Sequence, residues 1–575
     1  MKFKTKHFHI LLIVLFTFVI YSNTFFNGFV FDDEFFIVDN FEMRSLKNIP
    51  SYFSEPSVGN LYRPVRSVLY SVTFFFWKLN PFGYHLNAII LHLLISVVVY
   101  LILSELVSGK RISLIASLLF VVHPIHTARV ANMTGGFDLL GILFLFLAFY
   151  NYILFRKYGN KKAFVYSIIL FVIGLFSSEE VVVFPILALL YDFCFSGGKI
   201  SNVFRKLKSF WVYIVSLLFY FAIRLSVLGQ IGRAEVYFLG NLQTRILSTL
   251  VIFVRYIYIL LFPFRLTVDY YVQVYKSFSL SVIFALFLFL IVFFFWIKSY
   301  KNNKIAFFSI GWFFVALIPF SNLFPVHSFM ADRYLYVASF GFVTLLVYLL
   351  DKFFNLKFFD KKIFKLTYII VIVCLIVVYS FVTVARNSEW RNEQILLSKA
   401  VQRQPKSSNA HNDLGQVYFE MGLYSEAFKE YNQAILLNDK NHLAWLNIGT
   451  LYGEVGNYSE AVYYIDQSLL IFESYKAYNN LGLMYNNLGD SNQAVVELKK
   501  AIEFNPYLSK AYMDLGVVYA GMEEFDKAYV ELNNALEINP RVADIHYNLG
   551  ILHEFLGQKD DAKREFAIAS ALSRE

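Results

Sequence analysis

Apolar runs close to the thickness of a bilayer recur along the first 385 residues, separated by short polar breaks. After the opening MKFKTKHFHILLIVLFTFVIYSN they fall at about 84–107, 112–131, 136–155, 163–177, 180–195, 210–228, 246–263, 280–298, 305–322, 335–350 and 364–385. A span needs roughly 20 residues, with a range of about 17–25. Inside hydrocarbon each segment must satisfy its own backbone hydrogen bonds, so such runs become helices. Hydrophobic residues make up 58% of the chain, above the roughly 45–50% of an ordinary soluble protein. The opening run has a basic head but no small-x-small cleavage site behind it. It reads as a retained first span rather than a signal peptide. Residues 1–385 are therefore expected to form a multi-span helical membrane domain.

Charge orients the runs. Lys2, Lys4 and Lys6 place the N-terminus inside. GKR (109–111), RKYGNKK (156–162) and GGKISNVFRKLK (197–208) then also fall inside. KSYKNNK (298–304) and DKFFNLKFFDKK (351–362) stay inside only if 246–263 dips in and returns. That run is expected to be re-entrant or interfacial, leaving about eleven crossings. The loop at 22–83 and everything after 385 then share the extracytoplasmic side. Residues 62–80, with Arg63, Arg66 and Lys78 at the ends and aromatics between, look interfacial. By count, residues 1–385 carry 34 Lys/Arg against 16 Asp/Glu, and residues 386–575 carry 17 against 26. The basic excess is loop charge around spans, so no nucleic-acid partner is expected. Cys194 and Cys374 both lie in apolar segments and offer no disulfide framework or thiolate metal site.

From about 408 the pattern becomes periodic. Five units align at 33 to 34 residues, about 408–441, 442–474, 475–508, 509–542 and 543–575. Gly415, Gly449, Gly482, Gly516 and Gly550 mark one register; Ala427, Ala461, Ala494, Ala528 and Ala562 mark another. This is the tetratricopeptide pattern, a stack of helix pairs. Residues 386–407 read as a half-repeat connector. The sixth position of each unit is polar: Asp413, Asn447, Asn480, Asp514 and Asn548. One polar side chain per repeat builds a ladder in a concave face, which suits either the backbone of an extended peptide or local bonds between repeats.

FVFDDEFFIVDN (29–40) sets Asp32, Asp33 and Glu34 among phenylalanines a few residues beyond the first span. Carboxylates at a membrane edge are costly and usually functional. Further polar stretches lie outside or near the outer face: YRP (62–64), NPFGYHLNAIILH (80–92), HPIHTARVANMTGGFD (123–138), SSEE (177–180) and FPVHSFMADRYLY (324–336). The sequence has no Gly-rich phosphate loop, GxSxG or HExxH. Transfer of a sugar from a polyprenyl phosphate needs none of these. A carboxylate takes the proton of an acceptor hydroxyl, and cations or donors receive the leaving phosphate. Asp32 and Asp33 are the catalytic candidates. Arg63, His85, His123, His126, Arg129, Asp138, Glu179, Asp332 and Arg333 are candidates for the donor's phosphate and sugar, with Asp332 a possible partner of Arg333. The lipid-linked sugar is a co-substrate; no cofactor and no metal are expected.

NGFVFDDEF, YRPV, NPFGYHLNAIILHLL, HPIHTARVANMTGGFDLL, SSEEVVVFPILALLYDF, FMADRYLYVASFGF and ARNSEW, in this order and followed by repeats, resemble the transmembrane and tetratricopeptide repeat-containing O-mannosyltransferases and their bacterial relatives. The resemblance implies an all-α, GT-C-like membrane domain followed by a repeat superhelix. It implies a site in the first outward loop with the acidic pair on Asp32 and Asp33. It also implies inverting transfer of a hexose such as mannose from polyprenyl phosphate to Ser or Thr of an exported polypeptide. The host membrane would be a bacterial inner membrane, or the ER in a eukaryote. The chain departs from the family pattern at Ala128 with Arg129 beside it, at Gly136 and Phe137 before Asp138, and at Ser178 before Glu179. Either a local charge network is missing as a unit, or phosphate handling differs. Two other readings are a membrane-anchored repeat scaffold without catalysis, and a ligase or polymerase acting on lipid-linked glycan.

Overall fold

The computed structural model describes residues 2–107, 109–195, 200–229, 240–323, 328–355 and 361–573. Residues 197–199, 324–327 and 356–360, parts of three stretches used above for orientation or for the site, lie outside the described residues. The chain forms two compact units, Met1–Arg403 and Gln404–Glu575.

The first unit is a helical bundle. Eight described helices are long and apolar enough to cross a membrane: Thr5–Phe26, Pro81–Leu106, Met133–Tyr158, Ser209–Leu228, Leu242–Leu261, Leu280–Asn302, Asp332–Phe354 and Lys362–Glu389. A ninth is possible if Lys110–Val122 and Pro124–Val130, bent by 48°, act together. Pro124 sits at the bend, where its ring and missing N–H interrupt the ladder. Three further apolar runs, all counted among the eleven crossings expected, form shorter helices: Lys161–Leu175 (15 residues), Phe184–Phe195 (12) and Lys304–Ala316 (13). Residues 246–263, expected to be re-entrant or interfacial, fall in one continuous 20-residue helix, Leu242–Leu261, capped by the Asn241 side chain on Thr244 N–H.

Asparagines start many of these helices. Asn80, Asn132, Asn160 and Asn303 each accept a first-turn N–H with the side chain, and Pro81 follows Asn80 at the first helical position. In the interior, several buried polar groups bond to backbone oxygens of other helices. Trp312 Nε1 donates to Val337 O at 2.8 Å, Thr383 Oγ1 to Val122 O at 2.7 Å, and Tyr21 Oη to Val121 O at 3.2 Å. Leu280–Asn302 differs: only Val282 and Ala285 are buried, as suits a helix facing lipid.

The second unit is five helix pairs: Ser408–Glu420 with Tyr424–Leu437, His442–Glu454 with Tyr458–Ile471, Tyr475–Asn487 with Ser491–Phe504, Ser509–Gly521 with Phe525–Ile538, and Ala543–Phe555 with Lys559–Leu572. The glycine register explains the pairing. A Cβ at Gly482 would lie 2.7 Å from Leu498 Cγ, and one at Gly516 would lie 2.8 Å from Leu532 Cγ. The matching alanines Ala427, Ala461, Ala494 and Ala528 are fully buried.

Candidate active site

The first loop splits its acidic pair. Phe31, at φ 57°, turns the backbone just before Asp32. Asp32 is exposed; Asp33 is wholly buried. Asp33 Oδ1 accepts Thr134 N–H at 2.8 Å and Oδ2 accepts Val30 N–H at 3.2 Å. Thr134 opens the helix Met133–Tyr158, and Asn132 Oδ1 accepts the neighbouring Gly135 N–H at 2.5 Å. Two side chains thus satisfy two of the four N–H groups a helix start leaves free, and a carboxylate suits the positive end of the helix dipole. Burial pushes the Asp33 carboxyl up to about 6, against the pull of the two backbone N–H groups.

One turn along the same helix, Asp138 is the hub of a charged cluster. Its Oδ1 accepts from Arg63 Nη1 at 2.8 Å and Arg66 Nη1 at 2.6 Å; its Oδ2 accepts from Arg129 Nη1 at 2.6 Å. Arg63 also donates to Glu179 Oε2, through Nε at 2.7 Å and Nη2 at 2.6 Å. Arg224 Nη1 reaches Glu179 Oε1 at 2.9 Å, and Arg129 Nη2 pairs with Glu180. Four guanidinium groups meet three carboxylates, leaving one positive charge. The Glu179 side chain, 32% exposed, is its most open member. Arg66 lies over Tyr70, and Tyr70 stacks on Phe137 with centroids 3.9 Å apart.

Beside the positions that depart from the family pattern, Arg129 bridges Asp138 and Glu180. A side chain at Gly136 has no room: its Cβ would lie 2.6 Å from Ala88 Cβ.

Arg333 stands at the edge of this cluster. Its backbone oxygen accepts from Arg129 Nε at 3.4 Å, and its Nη2 donates to Ser328 Oγ at 3.1 Å. Among the described residues it joins no ion pair, though Asp32 and Asp138 are both near enough to act on its charge. Among the described residues Asp332 forms no ion pair with Arg333; it accepts from the Tyr270 hydroxyl, and the charges of Arg386, Arg333 and Arg403 all act on it.

The structure brings Arg63, Arg129, Asp138 and Glu179 into one cluster and Asp33 onto the adjacent helix start. Two of the histidines lie elsewhere: His123 Nε2 bonds Leu260 O at 3.0 Å and His126 Nε2 bonds Ser339 Oγ at 2.9 Å, while His85 is buried beside the Asn27 backbone at the start of the acidic stretch. Among the described residues no group of His, Cys, Asp or Glu is arranged to hold a metal. Sequence reasoning missed Arg66, Glu180 and Arg224. A signal existed: Arg66 follows Arg63 by three, and a charge inside an apolar run such as Arg224 needs an internal partner.

A second group missed from sequence clasps the acidic loop. Asn27 Nδ2 donates to Asn387 O at 2.9 Å, and Gly28 N–H to Arg391 O at 3.1 Å. Val30 packs with Ala131, Trp390 and Leu396. Arg403 fixes the following helix by two bonds to Glu389, at 2.5 and 2.6 Å, and one to Leu266 O at 2.7 Å. NGFVFDD and ARNSEW, more than 350 residues apart, are one local structure.

In the repeats, Asn447 and Asn480 line a groove cavity of about 460 Å³. Asn447 Nδ2 donates to Asn412 Oδ1 at 3.0 Å and Asn480 Nδ2 to Thr450 Oγ1 at 3.0 Å, leaving each amide a carbonyl oxygen and one further hydrogen. Asp514 is buried and accepts from Asn479 at 2.9 Å. Asp413 and Asn548 are half-buried and do not line this cavity.

Comparison with known proteins follows the same two parts. The family described as "Dolichyl-phosphate-mannose-protein mannosyltransferase" matches residues 69–228, and tetratricopeptide repeat families match 415–456, 475–507 and 509–542. A protein named "Protein O-mannosyl-transferase F38B6.6" from Caenorhabditis elegans is 26% identical over 455 residues, covering 75% of this chain and 63% of the relative. "Protein O-mannosyl-transferase TMTC3" from Homo sapiens is 27% identical over 462 residues, covering 72% of this chain and 50% of the relative. The chain is similar to the TMTC-like proteins in both its membrane part and its repeats. It spans about half to two-thirds of the length of these TMTC-like relatives. Of solved structures, "Crystal structure of MamA" is similar at 25% identity and a TM-score of 0.25, over 28% of this chain and 95% of that one. The TMTC-like motif residues quoted above include Asp33, Arg63, Arg129, Asp138 and Glu179, the groups around the acidic loop.

Proposed function

We propose that this chain is a multi-pass GT-C-type glycosyltransferase that moves a hexose such as mannose from a polyprenyl phosphate to Ser or Thr hydroxyls of a polypeptide held by the repeats. The observation that carries the reading is the division of labour in the acidic pair: Asp33 is buried and committed to two backbone N–H groups, while Asp32 is exposed beside it. A hydroxyl can approach Asp32 and not Asp33. Asp32 takes the acceptor's proton, and the oxygen attacks C1 of the sugar from the side opposite the phosphate. The C1–O bond to the phosphate breaks and its electron pair leaves with the lipid phosphate, so the product is inverted at C1. Arg333, which joins no ion pair among the described residues, receives the leaving phosphate, and the surplus positive charge of the Asp138 cluster adds to the field there. Asp33 positions the loop. The acidic loop and the repeats face the extracytoplasmic side, in a bacterial inner membrane or in the ER of a eukaryote. Chemistry needs no cofactor or metal in this scheme.

The test is transfer from radiolabelled polyprenyl-phosphate mannose in membranes bearing wild type or Asp32→Asn. Loss of a general base is expected to slow transfer by about 10²–10⁴-fold. Full transfer by Asp32→Asn overturns the assignment. Label appearing in glycan but never on protein redirects the acceptor to saccharide.

A further inference from the structure

The repeat unit is acidic overall, with 13 Lys/Arg against 24 Asp/Glu over residues 404–575. Its groove has the opposite character. The residues lining the cavity include Lys476 and Lys510 and no carboxylate. Both lysines are the second residue of their helices, Tyr475–Asn487 and Ser509–Gly521, one repeat apart. At helix starts the backbone dipole adds to the positive charge. Both side chains are exposed, and neither joins an ion pair among the described residues. The charge on Lys510's own helix that acts on it is Asp514, which is buried and already bonded to Asn479. The same register is Asn409 in the first repeat, Leu443 in the second and Asp544 in the fifth. The positive feature is confined to the third and fourth repeats, and it changes sign at the fifth.

We infer that this groove selects an extended polypeptide segment carrying Asp or Glu side chains, its carboxylates between Lys476 and Lys510 and its backbone on Asn447 and Asn480. Tyr475 and Leu508 line the same cavity and supply an apolar wall for neighbouring side chains. The inference rests on the reading that the repeats hold the acceptor, and it adds the acceptor's chemistry. A ladder of amides accepts any backbone; the paired ammonium groups add selectivity and make binding sensitive to salt. Acceptors would then be Ser/Thr-bearing segments interspersed with acidic residues, whereas Lys- or Arg-rich segments would be turned away.

The experiment uses the full chain in nanodiscs and three fluorescent peptides of equal length, Ser/Thr-rich, with a central Asp/Glu cluster, its Asn/Gln counterpart or a Lys cluster. The acidic peptide is expected to bind about tenfold tighter than the amide peptide at low salt, the scale of two partly exposed ion pairs together. The gap is expected to close as salt rises. The double variant Lys476→Glu/Lys510→Glu, checked by its melting temperature, is expected to prefer the Lys peptide. Asn447→Ala/Asn480→Ala is expected to weaken all three peptides alike. If the three peptides bind equally and charge reversal changes nothing, acid selection is overturned while peptide holding stands. If none binds, both fall. Competition by inorganic phosphate as strong as by the acidic peptide would reveal a bare anion site and overturn the peptide reading of these lysines.

Discussion

The two units solve one problem, the placement of polar groups in a packed helical interior, in opposite ways. In the membrane unit the groups come from distant parts of the chain: Arg63, Asp138, Glu179 and Arg224 converge as full charges. In the repeat unit neutral amides bond to the adjoining repeat, as Asn447 does to Asn412 and Asn480 to Thr450. The difference follows from what each element can reach. A stacked repeat touches only its neighbours, so its polar bonds recur with the sequence period. A membrane bundle brings any helix against any other, and a buried charge there persists only beside its opposite.

Breaking the first arrangement should cost the most. Asp138→Asn leaves Arg63, Arg66 and Arg129 facing an amide where each had a carboxylate oxygen. Removing one partner of a buried pair typically costs about 3–5 kcal/mol. Thermal unfolding in detergent is expected to show a large fall in midpoint. Arg564→Ala, at a pair with Asp561 whose side chains are 64% and 46% exposed, is expected to leave the midpoint unchanged. Equal effects of the two substitutions would remove the contrast between the units.

The same difference decides what could be read from the residues. The five repeats were legible because glycine and alanine mark close helix contacts at a fixed period, and Gly482 and Gly516 do meet Leu498 and Leu532. Four of the charged-site residues, Arg63, Arg129, Asp138 and Glu179, were legible as polar stretches in apolar surroundings. Arg66, Glu180 and Arg224 were visible as charges beside or inside apolar runs, but their partners were not, because pairing between helices leaves no spacing rule in one sequence. The hydrogen bond from Tyr270 to Asp332 was not legible, because adjacency in the chain does not say what a side chain 62 residues away will reach. The clasp of Asn387 and Trp390 on the acidic loop was invisible for the same reason. Two apolar runs, 180–195 and 305–322, also looked longer than the helices they form, since apolar residues continue past helix ends.

A smaller effect separates the acidic pair by pH. The folded-state carboxyl of Asp33 titrates near 6, above its ordinary 3.8. The folded protein therefore holds this proton more tightly than the unfolded chain. The stability it contributes is present below the unfolded value and is lost as pH rises through about 6. A shift of about two units corresponds to roughly 2–3 kcal/mol. Glu179 works in the other direction. Burial opposes its ionisation, but Arg63 and Arg224 hold it below its ordinary value, so its contribution is lost as pH falls. The difference between wild type and Asp33→Asn isolates the first contribution. Melting temperatures measured from pH 4 to pH 7 are expected to show wild type losing stability relative to the variant as pH rises. A constant difference across that window would mean Asp33 ionises as freely as an exposed aspartate.

The smallest effect belongs to the periodic unit. Gly482→Val places a branched side chain where Leu498 Cγ lies 2.7 Å from the new Cβ and Ala494 O lies 3.2 Å away. Overpacking of this kind typically costs about 1–3 kcal/mol. Because a repeat touches only its neighbours, the loss should stay local. Hydrogen exchange is expected to quicken in Tyr475–Asn487, Ser491–Phe504 and the flanking helices, while the amides of Met133–Tyr158 keep their protection. Gly136→Val makes the converse case. Its Cβ would meet Ala88 beside Arg129 and Asp138, in a cluster tied to four segments of the bundle. There, exchange is expected to quicken from the acidic loop through the helix Met133–Tyr158. If the Gly482 variant instead loosens both units together, the repeats are not an independent stack, and the nearest-neighbour account of their polar ladder fails with it.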